Sequence, residues 1–218
     1  MPYPMTHLYI AEKIMDISMW NINNKSQYYL GILSPDAVQF RQIYDKKISH
    51  LCNSNEEWGY ITTNDIWKND VIKYIKDNIG KIDIDFLLGF CIHILTDIYD
   101  NSNVLIPLRK KYDNFNELSK IILYESDIID LHLFQICPFR EKILDLLNNS
   151  EPFDFMNIVN KKDMENIINN IVNIQYNKEI IININDNKII TLKDELKFID
   201  KATEYINGIF EYEIKKYL

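Results

Sequence analysis

The stretch Asp85-Phe86-Leu87-Leu88-Gly89-Phe90-Cys91-Ile92-His93-Ile94-Leu95-Thr96-Asp97 is apolar on nearly every side when wound as a helix. A helix with no polar face is buried all round, so this one is expected at the centre of the fold. Its longest apolar run, Phe86 to Leu95, is far below the ~18 residues needed to span a bilayer. His93 and Asp97 lie inside it, one turn apart on one face, where an imidazole nitrogen and a carboxylate oxygen can converge on one ion at roughly 2.0–2.2 Å each. A buried ionised carboxylate is costly unless compensated, and a divalent cation compensates several groups together. Taken alone, the His-x3-Asp spacing also allows a hydrogen-bonded pair that stabilises the core. Gly89, one turn before His93, leaves room for another backbone to approach.

Outward from this segment, apolar residues recur at helical spacing near 5–19, 26–33, 36–52, 63–78, 83–99, 115–134, 138–148, 161–174 and 191–217. The fold class is therefore all-α, a multi-helix bundle. The polar breaks Asn23-Asn24-Lys25, Asn53-Ser54-Asn55 and Asn148-Asn149-Ser150 are too short for domain linkers, and residues 1–218 read as a single domain. The one strand-like stretch runs from Glu179 to Thr191, where Ile-rich runs flank Asn185-Asp186-Asn187. It predicts either a small β-hairpin or an irregular loop.

Other polar residues fall where a surface residue would not. His7 lies on the stripe His7, Ile10, Ala11, Ile14, Ile17, the inward face of the first helix, and a ring buried there needs a partner. Asp36 follows Pro35, which pushes Ser34 out of helical geometry, so Asp36 is either a helix cap or a site residue. His50 stands near the end of the next helix, where a cation is favoured by the dipole whether or not it binds anything. On 115–134 the inward stripe is Leu118, Ile121, Ile122, Glu125, Ile129 and His132. Glu125 interrupts an apolar face and is a candidate ligand or supporting acid; His132, two turns on and about 10 Å along the axis, reads as structural. Arg41 and Lys47 are candidates to neutralise phosphate, or else belong to a solvated helical face.

Composition narrows the partners. The formal net charge of −8 argues against a nucleic-acid binder, because phosphate contacts need a basic surface. Cys52, Cys91 and Cys137 are widely spaced and odd in number, which predicts neither a disulfide framework nor a zinc ribbon. Met-Pro-Tyr-Pro-Met-Thr-His at the start has no basic segment leading into an apolar run, and a cytoplasmic location without a transmembrane segment is expected.

Taken together, Thr6-His7-Leu8, Tyr29-Leu30-Gly31-Ile32-Leu33-Ser34-Pro35-Asp36-Ala37-Val38, Lys47-Ile48-Ser49-His50-Leu51 and Leu88 through Asp97 resemble, in order and spacing, the zinc-dependent phospholipase C family over roughly the first 130 residues. The resemblance implies an all-α zinc hydrolase of phosphate esters. Its metal ligands would be His7, Asp36, His50, His93 and Asp97, with Glu125 added. His50, His93, Asp97 and Asp36 would hold one zinc, while His7 and the other oxygen of Asp97 would hold a neighbouring one. Asp36 would be the catalytic residue that orients or deprotonates water. Where secreted members place a histidine six residues after the helix aspartate, this chain has Asn103, and Ile121 stands where another histidine precedes the acid matching Glu125. One or two zinc ions are therefore expected, with Asp100, Asp127 or Asp130 as substitute acids. The expected partner is a phosphate-ester small molecule or a phospholipid headgroup. The alternative is a non-catalytic helical protein with a structural or partner-binding zinc site.

Overall fold

The computed structural model describes residues 3–18, 20–112, 114–177, 184 and 187–218. Its elements are helices, with no strand among the described residues. In chain order they are α1 (Pro4–Ile17), α2 (Lys25–Leu33), α3 (Lys46–Ser49), α4 (Asn64–Asn78), α5 (Ile84–Asp100), α6 (Ile106–Lys111), α7 (Phe115–Ile136), α8 (Arg140–Asn148), α9 (Lys161–Asn169) and α10 (Leu192–Ile209).

Local chemistry explains where they begin. Pro4 opens α1, where its missing N–H costs nothing. Asn24 and Asp83 accept from the main-chain N–H of Gln27 and Phe86 at 3.2 and 2.9 Å, capping α2 and α5. Reciprocal capping boxes start α9, with Asn160 and Asp163, and α10, with Thr191 and Asp194.

α5 is the axis of the molecule. Every residue from Asp85 to Ile98 is buried, and α1, α2, α4 and α10 all pack on it. Its closest neighbour is α2, and the reason lies in two glycines. A Cβ on Gly89 would stand 2.1 Å from the Tyr28 carbonyl oxygen, and one on Gly31 would stand 2.2 Å from that of Phe86. The two backbones cross in direct contact, an approach that only paired glycines permit. One cluster of buried side chains runs from Met5 on α1 to Ile214 beyond α10.

The single helix expected over 36–52 is not formed. A 3-10 helix, Ser34–Phe40, continues from α2, the backbone turns extended at Arg41, and the short α3 follows. Pro35 stands at the start of the 3-10 helix, and the Asp45 cap, which accepts from Lys47 N–H at 2.8 Å, starts a separate helix after the extended Arg41. α3 ends in a Schellman arrangement: Cys52 N–H reaches the Lys47 carbonyl at 2.8 Å and Leu51 N–H that of Ile48 at 3.2 Å. Leu51 therefore sits at φ 51°, a left-handed conformation that a branched side chain adopts at a cost of roughly 1–2 kcal/mol. Residues 101–111, given no element from their pattern, prolong α5 as a π-helical turn, Asn101–Leu105, and then α6. Most of the hairpin expected over 179–191 lies outside the described residues, and 187–191 hold no strand. Ile17 and Ile121, placed on inward stripes, are 50% and 45% exposed. The three cysteines are buried and unpaired, and among the described residues no helix is long and apolar enough to cross a membrane.

Candidate metal centre

The α2–α5 crossing and the break after α2 bring four chain segments to one point. His7 comes from α1, Asp36 from the 3-10 helix, His50 from the end of α3, and His93 and Asp97 from α5. His7, His50, His93 and Asp97 are all at most 2% exposed. They form two overlapping groups able to hold a cation, one of His7, His93 and Asp97 and one of Asp36, His50 and His93.

The orientation of each ring is set by its second nitrogen. His93 Nδ1–H donates to the Ile32 carbonyl at 2.7 Å, a contact that exists because α2 lies so close. His50 Nδ1 lies 3.0 Å from the Lys46 carbonyl and 2.9 Å from Ser49 Oγ. Trp67 Nε1–H holds the His50 carbonyl at 2.7 Å, and the Trp58 ring packs edge-on against the imidazole. Tying Nδ1 to a carbonyl fixes the tautomer and leaves the Nε2 lone pair pointing inward. His7 is placed by stacking on His93, with centroids 3.8 Å apart and planes within 7°.

What those inward atoms meet separates a metal site from a hydrogen-bonded core pair. His7 Nε2 lies 3.6 Å from Asp97 Oδ1, and His50 Nε2 lies 3.2 Å from Asp97 Oδ2 and 3.6 Å from Asp36 Oδ1. His93 Nε2 lies 3.8 Å from Asp97 Oδ2 and 3.9 Å from Asp36 Oδ2. Nearly all of these are too long for hydrogen bonds, whose N···O distances fall at about 2.7–3.2 Å. Accordingly Nε2 of all three histidines and both Asp97 oxygens are buried without a hydrogen-bond partner. So many orphaned polar atoms at one place would be prohibitive in an ordinary core. A cation among them satisfies all of them at once, so this buried group could hold a metal ion.

The protonation states suit that role. Burial, and then the neighbouring His93, push His7 down to about 3, and burial lowers His93. Burial acts to raise Asp97, but His50, His93 and His7 outweigh it and hold the carboxyl at about 2. Burial is likewise outweighed at Asp36, which the Lys46 ammonium and the imidazoles hold well below the usual carboxylate range. Neutral His7 and His93 beside ionised Asp36 and Asp97 are the forms in which these groups ligate.

The centre opens on solvent through Asp36, 21% exposed. His7, Asp36, Lys46 and His93 line a cleft of about 1230 Å³ whose other walls include Phe40, Tyr44, Trp58 and Leu123. A large concave space beside convergent polar groups is where a ligand site is expected.

Several candidates fall elsewhere. Glu125 is not brought to the cluster: its two oxygens accept from the main-chain N–H of Lys188, Ile189 and Ile190 at 2.7, 2.9 and 2.7 Å. Three N–H donors in an irregular segment need an acceptor, and this buried carboxylate supplies it. Arg41 is spent on Asp163, with Nε 2.9 Å from Oδ2, and on the Ile158 carbonyl at 3.2 Å. Lys47 donates to the Ser54 and Glu56 carbonyls, both at 3.3 Å. Asp130 accepts from Met5 N–H at 2.7 Å and Tyr176 Oη–H at 2.7 Å, and Asn103 is exposed. Asp127 lines the cleft without joining either cation-holding group, and Asp100 and His132 join neither. The residue that the pattern missed is Lys46, whose Nζ lies 2.7 Å from Asp36 Oδ1. Its one signal was its place a helical turn before His50.

No protein-family model, curated protein or solved structure matches this chain.

Proposed function

We propose that this chain is a zinc-dependent phosphoesterase of the phospholipase C type. The observation that carries the reading is the set of buried, unpartnered Nε2 and carboxylate oxygen atoms of His7, His50, His93 and Asp97, converging beside Asp36 at the wall of a large cleft. Imidazole and carboxylate form a donor set that suits zinc. Two atoms each about 2.0–2.1 Å from a tetrahedral ion lie roughly 3.3 Å apart, close to the 3.2–3.9 Å separations between these groups. His50, His93, Asp97 and Asp36 would hold one zinc, and His7 with Asp97 Oδ1 a second. Bound there, zinc supplies Lewis acidity that acidifies water and offsets charge on phosphoryl oxygens.

The chain's own residues do the rest. Asp36, ionised beside Lys46, accepts a hydrogen bond from the attacking water and fixes its direction. Asp97 faces His7 with one oxygen and His50 and His93 with the other, holding the two halves of the cluster in register. The apolar cleft walls take the organic part of the ester and exclude bulk water. A structural zinc is expected in a closed site, whereas Asp36 here reaches solvent, which favours the catalytic reading over the purely structural one.

Metal analysis and a phosphodiester and phosphomonoester screen on wild type, Asp36→Asn and His93→Ala test the proposal. Zinc at one equivalent or more, lost in His93→Ala, and hydrolysis reduced at least a hundredfold in Asp36→Asn are expected. Wild-type rates in both variants would sink it.

A further inference from the structure

The cluster meets the cleft at Asp36, and there lies an obstacle to the proposed substrate. A phosphate ester is an anion, and Asp36 presents a partly exposed carboxylate on its approach. A cationic side chain beside Asp36 would draw the anion in and add a hydrogen bond to what zinc supplies.

The cations nearest in sequence do not serve, since Arg41 is engaged by Asp163 and Lys47 by the Ser54 and Glu56 carbonyls. Arg109 also lines the cleft, with its guanidinium over the Tyr60 ring at 4.9 Å. Lys46 alone among the lysines and arginines lining that cleft makes an ion pair with a cluster residue. Its placement is built from both ends. The main-chain carbonyl accepts from His50 Nδ1 at 3.0 Å, and Nζ donates to Asp36 Oδ1 at 2.7 Å. Its side chain is 21% exposed, so the ammonium is partly desolvated yet reachable. An ammonium carries three N–H donors, and the hydrogen bond to Asp36 is the one it makes among the described residues.

Resting on the phosphoesterase reading, we propose that Lys46 is an anion-binding residue of this site: anchored on Asp36, it screens that carboxylate and donates a second N–H to a phosphoryl oxygen of the bound ester. Charge-assisted hydrogen bonds of this kind are stronger than neutral ones.

The experiment measures binding of inorganic phosphate to the zinc-loaded full chain by calorimetry, in wild type, Lys46→Met and Lys46→Gln, with zinc content determined on the same samples. Gln retains a donor for Asp36 without the charge, so it guards against collapse of the site in the Met variant. At wild-type zinc content, both variants are expected to bind phosphate at least tenfold more weakly. In turnover, KM is expected to rise more than kcat falls. Undiminished phosphate affinity at equal zinc content overturns the inference and leaves Lys46 a structural partner of Asp36. Loss of zinc in both variants overturns it too, by making Lys46 a positioning residue for the ligands. Failure of the phosphoesterase reading itself shows separately, as a wild-type chain that takes up no zinc.

Discussion

Two buried acids show how differently one side-chain type is used here. Glu125 interrupts an apolar stripe and spends its charge on three main-chain N–H groups ahead of α10. Glu125→Gln removes that charge and part of the acceptor capacity. It is expected to cost about 1–3 kcal/mol in denaturant unfolding, with zinc content unchanged; loss of zinc would instead return Glu125 to the metal centre. Burial raises the Asp130 carboxyl to about 7 against the pull of Tyr176 and Met5 N–H. The folded chain then binds this proton more tightly than the unfolded chain, whose carboxyl titrates near 3.8. Stability from this group is fullest below that value and is lost as pH rises from about 4 to 7. Asp130→Asn should remove this component, so wild type minus variant stability falls by on the order of 4 kcal/mol across the window. Urea unfolding of both proteins at pH 5 and pH 8 measures it, and parallel pH dependences would exclude Asp130 as the source.

At the level of elements, the site depends on how near α2 comes to α5. Gly31 and Gly89 let the backbones touch, which carries the Ile32 carbonyl to His93 and swings the segment after α2 over the candidate ligands. Gly89→Ala places a methyl where the Tyr28 carbonyl oxygen stands, 2.1 Å away, and backbone cannot yield as a side chain can. Overpacking of this kind costs about 1–3 kcal/mol or more, despite the better helix propensity of alanine. The expected result is a lower unfolding midpoint together with weakened zinc affinity, because the prop behind His93 moves. An exposed control, Gly208→Ala, meets nothing within 4 Å and is expected to be neutral or slightly stabilising. Equal behaviour of the two variants would refute the crossing as the device that sets His93.

Across the whole molecule, the centre ties α1, the segment between α2 and α4, and α5 into one point, so an ion bound there would link metal to fold. Zinc at a hundredfold over its dissociation constant is expected to add about 2.7 kcal/mol to the unfolding free energy. Thermal unfolding with and without chelator reads this directly. His93→Ala should lose the increment, and a variant that kept it would move the stabilising ion elsewhere.

The helical class, the central burial of the segment from Asp85 to Asp97, and the candidacy of His7, Asp36, His50, His93 and Asp97 were all legible in the sequence. The class, the central segment, His7, His93 and Asp97 depend on local periodicity or on a polar residue placed on an apolar face, signals a chain carries wherever it ends up; Asp36 and His50 were singled out only by the resemblance to the phospholipase C family. The partners of Glu125, Arg41 and Lys47 were not legible, because they come from segments such as 188–190, Asp163 and Ser54. The division of 36–52 into two short helices was missed although its cause, the Asp45 cap, is local, and the part played by Lys46 was hidden because its partner Asp36 lies on a different element. What a buried charge meets is decided by long-range packing: residues distant along the chain become neighbours only when α2 and α5 close on each other, and that approach was decided by the tertiary structure alone.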